Sequence, residues 1–178
     1  MIMNNFNSEE WFPVVDEDGN TISMALRSVC HDGKSKLLHP VVHLHLFNKK
    51  GELFLQKRAM TKDLLPGYWD TSVGGHIHPG ENVESGLRRE AFEELRLSDF
   101  EFTFLKKYTW ESPREKELVY SYKGTSKNFP DIDRNEIEDG RFWSFKEIHE
   151  NLAKDIFTPN FVHEFKMLFI MSQNIIST

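Results

Sequence analysis

The sequence has only one cysteine, Cys30, and therefore no pair of thiols for an intrachain disulfide, a CxxC zinc site or a dithiol redox centre. This scarcity is typical of proteins from reducing compartments, and we expect a cytoplasmic location. The chain also lacks an uninterrupted apolar run of the roughly 18 residues that span a bilayer. Its opening stretch, MIMNNFNSEEWF, has neither the cationic start nor the apolar core of a secretory signal. We therefore expect no membrane partner.

Basic residues are also in the minority. The 22 lysines and arginines stand against 28 acidic residues, which gives a formal net charge of −6, and the basic residues form no run. This balance disfavours a nucleic-acid binder held by phosphate contacts, although it is compatible with a local basic pocket for a small phosphate compound. A hydrophobic fraction of 39% is typical of a globular protein. The length suits a single domain over residues 1–178, and the sequence leaves a homodimer open.

Alternating apolar residues between turn signals predict an N-terminal hairpin over residues 11–29, with its turn at residues 16–20. The same signals predict six further strands, at residues 39–47, 52–58, 71–73, 100–110, 118–123 and 141–144.

One central helix is predicted from Val83, Leu87, Ala91 and Leu95, which recur every four residues and form an apolar stripe. Two C-terminal helices are expected within residues 145–170, at 145–153 and 161–170. Strands, a helix, more strands and then helices favour a mixed α/β fold in one domain.

The central helix carries three glutamates, Glu90, Glu93 and Glu94, at positions that are neighbours across one helical turn. Like charges at this spacing cost about 0.2 to 0.5 kcal/mol per pair, and a divalent cation such as Mg²⁺ would offset this cost. A solvated acidic face has the same spacing and is the commoner case for an isolated ExxEE pattern.

The loop before the helix favours a binding site over a solvated face. Gly74, Gly75 and Gly80 allow the backbone to approach a ligand closely. Glu81 ends the loop, and Arg89 stands beside the glutamates as a counter-charge.

Residues 75–97 resemble the signature box of the Nudix hydrolases, through Gly75, Glu81 and the run Arg89-Glu90-Ala91-Phe92-Glu93-Glu94. The resemblance implies an α/β/α sandwich with a mixed sheet and the cleavage of a diphosphate that is linked to another moiety. It implies that Mg²⁺ or Mn²⁺ is held by Glu90, Glu93 and Glu94 together with the carbonyl group of Gly74. It also implies that Arg89 pairs with Glu81. The box departs from the family at Arg96, where a glycine usually ends the helix.

From about residue 11 to residue 161 the chain resembles the type I isopentenyl-diphosphate isomerases. This resemblance implies a second divalent-metal site whose ligands are His31, His39, His76, Glu115 and Glu117. It implies that three basic residues lie near the diphosphate, namely Arg27, Arg58 and Lys62. Other histidines have a plainer interpretation: His43 and His45 alternate on one strand face and are interpreted as structural, and the remaining ones as polar surface.

Two departures from the isomerases decide the predicted reaction. Gly74 stands where the isomerases have a catalytic cysteine, and Cys30 is far from it in sequence. The chain also retains Glu90 and Glu93, which the isomerases usually lack. In addition to these two departures, the chain has no tryptophan after Trp143, whereas the isomerases have one in their C-terminal part that shields the cation. We therefore predict a divalent-metal-dependent hydrolase that cleaves a diphosphate bond in a small nucleoside-diphosphate-type substrate.

Glu90 is the first candidate for the general base, and Glu117, Glu136 and Glu138 are alternatives. Two other functions stay open at this point. One is isopentenyl-diphosphate isomerisation by a different acid, and the other is a Nudix-fold module that binds a ligand without catalysis.

Overall fold

The N-terminal hairpin lies at the start of the part described by the computed structural model, residues 9–170. Its strands are β1 (Trp11–Val15) and β2 (Thr21–Leu26). The prediction that the second strand extends to residue 29 is wrong, because residues 27–30 form one helical turn, α1 (Arg27–Cys30). The amide of His31 closes this turn by donating to the carbonyl of Arg27 at 3.0 Å. Cys30 is thereby buried against the hairpin.

The main sheet has seven strands, and its central strand, β3 (Leu38–Phe47), is buried along its whole length. The other strands are β4 (Leu53–Arg58), β5 (Trp69–Asp70), β6 (Val73–His76), β7 (Glu101–Glu111), β8 (Lys116–Thr125) and β9 (Ile137–Trp143). The order is β5-β4-β3-β8-β7, with β6 paired to β3 and β9 to β4. Strands β3 and β8 run parallel and the other pairs are antiparallel, so the sheet is mixed as predicted.

The strand predicted at residues 71–73 is wrong in its bounds, because Thr71 and Ser72 separate β5 from β6. The Thr71 hydroxyl donates to the carbonyl of Leu44 at 3.1 Å, and the Ser72 hydroxyl donates to the carbonyl of Phe54 at 2.5 Å. Side-chain hydroxyls that bond to backbone groups compete with regular ladder pairing. The chain therefore stops pairing with β4 after Asp70 and pairs with β3 from Val73 onward. This change of partner strand places Gly74 and Gly75 at the candidate site.

Helices cover both faces of the sheet, which gives the α/β/α sandwich. Helix α2 (Val83–Leu95) packs on one face, against a cluster that contains Val42, Leu44 and Phe54. Helices α3 (Phe145–Asn151) and α4 (Pro159–Phe165) pack on the other face, against a cluster that contains Leu53, Leu55 and Trp143. Residues 53, 54 and 55 alternate between the two clusters, as expected for a strand with both faces buried.

The helix ends differ from the sequence predictions by a few residues. Helix α3 ends at Asn151, and α4 begins at Pro159, after Thr158 caps it by accepting from the Phe161 amide at 3.3 Å. Residues 166–170 form a π-helical turn that continues α4. Within the described range, no helix has the length and apolar composition required to cross a membrane.

Helix α2 ends without the glycine that the Nudix signature box usually has at this position. Arg96 itself adopts the left-handed conformation, with φ of 54°, and the Leu97 amide donates to the carbonyl of Ala91 at 3.2 Å. The Arg96 guanidinium lies 3.2 Å from Asp133. Arg96 therefore ends the helix in the conformation that a glycine usually provides, and the geometry of the signature box is maintained.

Candidate active site

Two adjoining cavities of about 710 Å³ and about 480 Å³ open at the end of the sheet where β3, β4 and β6 meet the loop before α2. The residues that line both cavities are Arg27, Gln56, Arg58, Lys62, Gly74, Gly75 and His76. The smaller cavity is also lined by the three glutamates of α2, which we call the helix carboxylates (Glu90, Glu93 and Glu94). The volumes suit a small-molecule ligand.

Arg89 organises the acidic end of the smaller cavity. Its Nε and Nη2 atoms lie 3.0 and 2.9 Å from the two carboxylate oxygens of Glu81, so the expected pair is present. Its Nη1 atom lies 2.7 Å from Glu90 and 3.0 Å from Glu93. Burial alone would lower the pKa of Arg89, but its bonds to Glu81 and Glu90 raise it. Arg89 therefore supplies part of the positive charge that we expected a cation to supply to the glutamates.

Glu90 fits against Gly75 so closely that no other residue type is accommodated. A Cβ atom on Gly75 would lie 2.0 Å from the carboxyl carbon of Glu90. Burial raises the pKa of Glu90, while the neighbouring Arg89 acts in the opposite direction. Gly75 therefore provides the space in which the first helix carboxylate reaches the cavity.

Glu94 is the most buried of the helix carboxylates. Its Oε2 atom accepts from the Gly74 amide at 3.2 Å and from the Gln56 side-chain amide at 3.1 Å. Burial, followed by the nearby Glu90, raises its pKa to about 8. A bound cation would reverse this shift, because it favours the ionised carboxylate. Glu93, by contrast, is 54% exposed at the mouth of the cavity. Together these oxygens are the hard ligands that Mg²⁺ and Mn²⁺ prefer, so the residues fit such an ion.

A second group of potential ligands, which we call the histidine cluster, lies beside the first. Its members are His31, His39, His76, Glu115 and Glu117. Ligand atoms of the three histidines lie within 4.8 Å of one another, and the same holds for those of His39 and the two glutamates. These five residues are the metal ligands that the resemblance implies. The fold brings them together from four separate segments of the chain.

Two rings of the histidine cluster, those of His39 and His76, lie in surroundings that favour the neutral form, which metal ligation requires. His39 Nδ1 lies 2.9 Å from the carbonyl of Leu37, which leaves Nε2 as the free ring nitrogen. Burial lowers the pKa of His39 and lowers that of His76 well below its usual value. The buried Nε2 atoms of both residues have no hydrogen-bond partner among residues 9–170. Phe12 stacks on His76 with 4.1 Å between ring centroids and helps to fix it. These neutral, unpartnered nitrogens fit a divalent cation.

The three basic residues expected near a diphosphate lie around the junction of the cavities. Arg58 is the most constrained, because Asp70 lies 3.2 Å from its Nη1 atom and the Leu64 carbonyl lies 3.0 Å from its Nε atom. Arg27 pairs with Glu10 at 3.0 Å, and Lys62 contacts Glu136.

The candidates for the general base lie in different places. Glu90 and Glu136 line the smaller cavity, and Glu117 lines the larger one. Burial and the nearby Glu115 raise the pKa of Glu117 to about 8. Glu138 does not line either cavity and instead pairs with Lys57 at 3.6 Å, which removes it from consideration.

Behind His43, which lines the larger cavity, lies a carboxylate that the sequence did not predict. Glu164 of α4 is fully buried, and its two oxygens lie 2.8 Å from His43 Nδ1 and 3.3 Å from His45 Nε2. His43 is thus paired with Glu164 and also lines the larger cavity, and His45 lies at the other oxygen of the same carboxylate. One available signal was an acidic residue between Phe161 and Phe165 on an otherwise apolar helix face.

Other polar residues of the larger cavity were also missed, among them Asn160 and Asp70. The thiol of Cys30 is buried under the hairpin and does not line either cavity. A side chain at position 74 would meet His43 at an ordinary contact distance of 3.5 Å. The space for a residue larger than glycine is therefore present, although the chain has no thiol there.

The chain matches the NUDIX domain over residues 37–165, and it belongs to this family. It is 30% identical over 155 residues to a Streptomyces griseus protein named isopentenyl-diphosphate Delta-isomerase, and the match covers 84% of this chain and 78% of that protein. It is 32% identical over 126 residues to an uncharacterized Nudix hydrolase of Listeria monocytogenes, covering 70% and 74% of the two chains.

Solved structures show the same fold. A Deinococcus radiodurans protein aligns with a TM-score of 0.77 and 23% identity, and the alignment covers 90% of this chain and 99% of that one. A MutT protein of Methanosarcina mazei aligns with a TM-score of 0.62 and 20% identity, covering 75% and 96%. The predicted Nudix-type fold is thereby confirmed.

Proposed function

We propose that the protein is a divalent-metal-dependent hydrolase that cleaves a diphosphate bond in a small nucleoside-diphosphate-type substrate. The observation that carries this proposal is the complete acidic end of the smaller cavity. Glu90 lies in the space left by Gly75, Glu94 accepts from the Gly74 amide, and Arg89 fixes the neighbouring oxygens. Burial of Glu90 and Glu94 carries an electrostatic cost that a bound cation would offset.

The residues have separate roles in the proposed reaction. The helix carboxylates and the Gly74 carbonyl would hold Mg²⁺ or Mn²⁺ at the smaller cavity, and the histidine cluster would hold a second ion. When bound, the cation supplies the positive charge that stabilises the phosphate oxygens as the diphosphate bond breaks. Arg58 and Lys62 would bind the distal phosphate from the junction of the cavities, and Arg27 from the hairpin side.

Glu90 is the residue that we propose as the general base. Burial raises its pKa, which brings a carboxylate nearer to the range in which it takes a proton from water at neutral pH. Arg89 lies 2.7 Å away and favours the ionised form, which is the form that a general base requires. Glu117 and Glu136 are the alternatives that still line a cavity.

Isomerisation of isopentenyl diphosphate is the second candidate, and the histidine cluster favours it together with the name of the Streptomyces griseus relative. The reaction requires an acid that protonates an alkene carbon. Gly74 has no side chain for this step, and Cys30 lies under the hairpin. The structure therefore supports hydrolysis better.

One NMR experiment separates the candidates. The protein with Mg²⁺ in deuterated buffer is given isopentenyl diphosphate and, in parallel, a panel of nucleoside diphosphate derivatives, with proton and phosphorus spectra recorded over time. We expect a phosphate-bearing product from at least one nucleoside compound and no deuterium in the prenyl methyl group. Deuterium in that methyl group would establish the isomerase instead. Binding of panel members without any product would reduce the protein to a ligand-binding module.

A further inference from the structure

Asp70 is a carboxylate that lines the larger cavity and is not used by the proposed hydrolysis. It ends β5, which pairs with β4, the strand that ends at Arg58. Its Oδ2 atom accepts from Arg58 Nη1 at 3.2 Å. Its Oδ1 atom accepts from the Thr158 hydroxyl and from the Thr71 amide, both at 2.8 Å. One carboxylate oxygen is therefore bonded to Arg58 and the other to groups of the surrounding fold.

The start of α4 provides a fixed anchor for this carboxylate. The Thr158 amide donates to the carbonyl of Trp69 at 2.9 Å, and the Thr158 side chain caps the helix. Two residues later, the Asn160 side chain accepts from the Tyr108 hydroxyl at 2.9 Å and donates to Glu117 at 3.3 Å. Because this end of α4 is bonded to β5, β7 and β8, the main sheet sets the position of the carboxylate.

The Arg58 guanidinium is held at two of its nitrogen atoms. Nη1 bonds to Asp70, and Nε donates to the carbonyl of Leu64 at 3.0 Å. A guanidinium is planar and has five N–H donors, so these two bonds fix its orientation and leave other donors for phosphate oxygens. A side chain that is already held in its binding orientation loses less conformational entropy when a ligand binds.

The other two basic residues at the junction of the cavities have more exposed partners. Arg27 pairs with Glu10 and Lys62 with Glu136, and the side chains of these glutamates are 39% and 48% exposed. The carboxylate that pairs with Arg58 is 18% exposed. Ion pairs between exposed side chains contribute little, because water and salt screen them. Arg58 is therefore the basic residue that is most firmly oriented before a phosphate binds.

We propose that Asp70 is a positioning residue, which holds the Arg58 guanidinium in the orientation that binds a phosphate oxygen. Two effects of this carboxylate on an anionic ligand oppose each other. Its negative charge at the cavity wall repels a diphosphate, whereas its bond to Nη1 preorganises the arginine. The second effect is the larger one. This role rests on the proposed diphosphate substrate but not on its hydrolysis.

Substitution of Asp70 by asparagine separates the two effects. Asp70→Asn keeps an oxygen for Thr158 and Thr71, but it loses the charge and presents an NH₂ group to the guanidinium. Loss of the charge alone should tighten the binding of an anion, whereas loss of the orientation of Arg58 should weaken it. Isothermal titration of the whole chain with Mg²⁺ and methylenediphosphonate, which is not hydrolysed, measures the result. We expect about tenfold weaker binding by Asp70→Asn, with little change in melting temperature.

A double-mutant cycle tests whether Asp70 acts through Arg58. In the Arg58→Ala background, Asp70→Asn should no longer weaken binding, because the side chain that it positions is absent. A contribution to the fold alone would give the same loss in both backgrounds. NMR of the Arg58 Nε–H group provides a readout that needs no ligand. Its hydrogen should exchange with water faster in Asp70→Asn than in the wild-type protein.

Glu147→Gln is the matched control. Glu147 also joins a helix cap to an arginine, because it accepts from the Ser144 amide at 2.8 Å and lies 3.2 Å from Arg141. It lines neither cavity. The substitution should therefore leave the affinity for methylenediphosphonate and the Arg58 Nε–H exchange rate unchanged.

Unchanged or tighter binding by Asp70→Asn, an equal loss in both backgrounds, or an unchanged Nε–H exchange rate would overturn the positioning role. Absence of binding by the wild-type protein would overturn it as well. A loss of binding that depends on Arg58, together with no product from the nucleoside panel, would keep the role and reject the hydrolase. Hydrolysis by the wild-type protein with no effect of Asp70→Asn on binding would do the reverse.

Discussion

The Nδ1 atom of His43, on the central strand, lies 2.8 Å from Oε2 of Glu164, on the last α-helix, and Glu164 is fully buried. His45 approaches the other oxygen of the same carboxylate at 3.3 Å. One carboxylate therefore joins α4 to two positions of β3. The same contact fixes the His43 ring at the wall of the larger cavity.

Removal of Glu164 should destabilise the protein strongly. Loss of one partner of a buried ion pair leaves the other charge uncompensated, and we expect Glu164→Ala to lower the free energy of unfolding by about 3 to 5 kcal/mol. Urea denaturation at neutral pH measures this change. Glu150→Ala, at an exposed position of α3, should change it by no more than about 0.5 kcal/mol. A loss below about 1 kcal/mol for the Glu164 variant would contradict the assigned role of the ion pair.

The pair also predicts how stability depends on pH. Burial opposes the charge of His43, but Glu164 outweighs this effect and raises the pKa of His43 from 6.5 to about 9. The contribution of a raised pKa is fully present below pH 6.5 and is lost as the pH rises through about 9. The difference in unfolding free energy between wild type and His43→Phe should therefore shrink by about 3 kcal/mol over this interval. A difference that stays constant from pH 6 to pH 9.5 would reject the charged pair.

Substitution by alanine should reduce kcat much more at Gly75 than at the adjacent Gly74. In Gly75→Ala the new methyl group would occupy the place of the Glu90 carboxyl, so Glu90 must leave the cavity. In Gly74→Ala the nearest atoms are 3.5 Å away, which is ordinary contact. We expect Gly75→Ala to lose about 100-fold in kcat while its melting temperature changes little, and Gly74→Ala to lose far less. Similar losses in the two variants would show that the Glu90 cradle is unimportant.

The helix carboxylates should be needed for turnover but not for folding. Glu93→Gln and Glu94→Gln keep the side-chain shape and lose the charge that holds the cation, and each should reduce kcat about 100-fold. Raising the Mg²⁺ concentration should restore part of the rate. Glu84→Gln, at an exposed position in the first turn of α2, is the control and should leave the rate unchanged. Wild-type rates for both test variants at limiting Mg²⁺ would contradict the assignment of Glu93 and Glu94 as metal ligands.

The histidine cluster should bind a cation independently of α2. Crystals soaked in Mn²⁺ should show anomalous density among its five side chains as well as at the helix carboxylates. His76→Phe should remove the first peak and retain the second, because it deletes a buried Nε2 ligand atom. Density at the helix alone in wild-type crystals would reject the cluster as a metal site.

Local patterns were enough to predict α2, because its apolar stripe repeats within one helix. The Arg89–Glu81 pair was predicted through the family resemblance, and the structure has the two side chains 2.9 Å apart. The end of β2 was missed for a related reason. A single helical turn such as α1 has too few residues to produce a periodic pattern that differs from an irregular loop.

The ion pair of Glu164 and the orientation of Asn160 were not predictable from local patterns. Glu164 meets His43 across 121 positions of sequence, and Asn160 meets Tyr108 across 52. Such contacts depend on how α4 packs on the sheet, which composition and periodicity do not specify. The histidine cluster was found only through resemblance, since its members also come from separate segments.

The histidine cluster is complete only when β3 pairs with the distant strand β8. His39 lies opposite Glu117 in this ten-residue ladder, and the whole of α2 and β7 is synthesised between them. A ribosome-bound chain that still lacks β8 can pair β3 only with β4 and β6, and it has an incomplete set of ligands. Closing so long a loop costs conformational entropy and is slow, and the interactions of the β3–β8 ladder offset this cost only when the whole ladder forms. The ability to capture a cation at this cluster should consequently arise in one cooperative step, at the moment when the sheet closes.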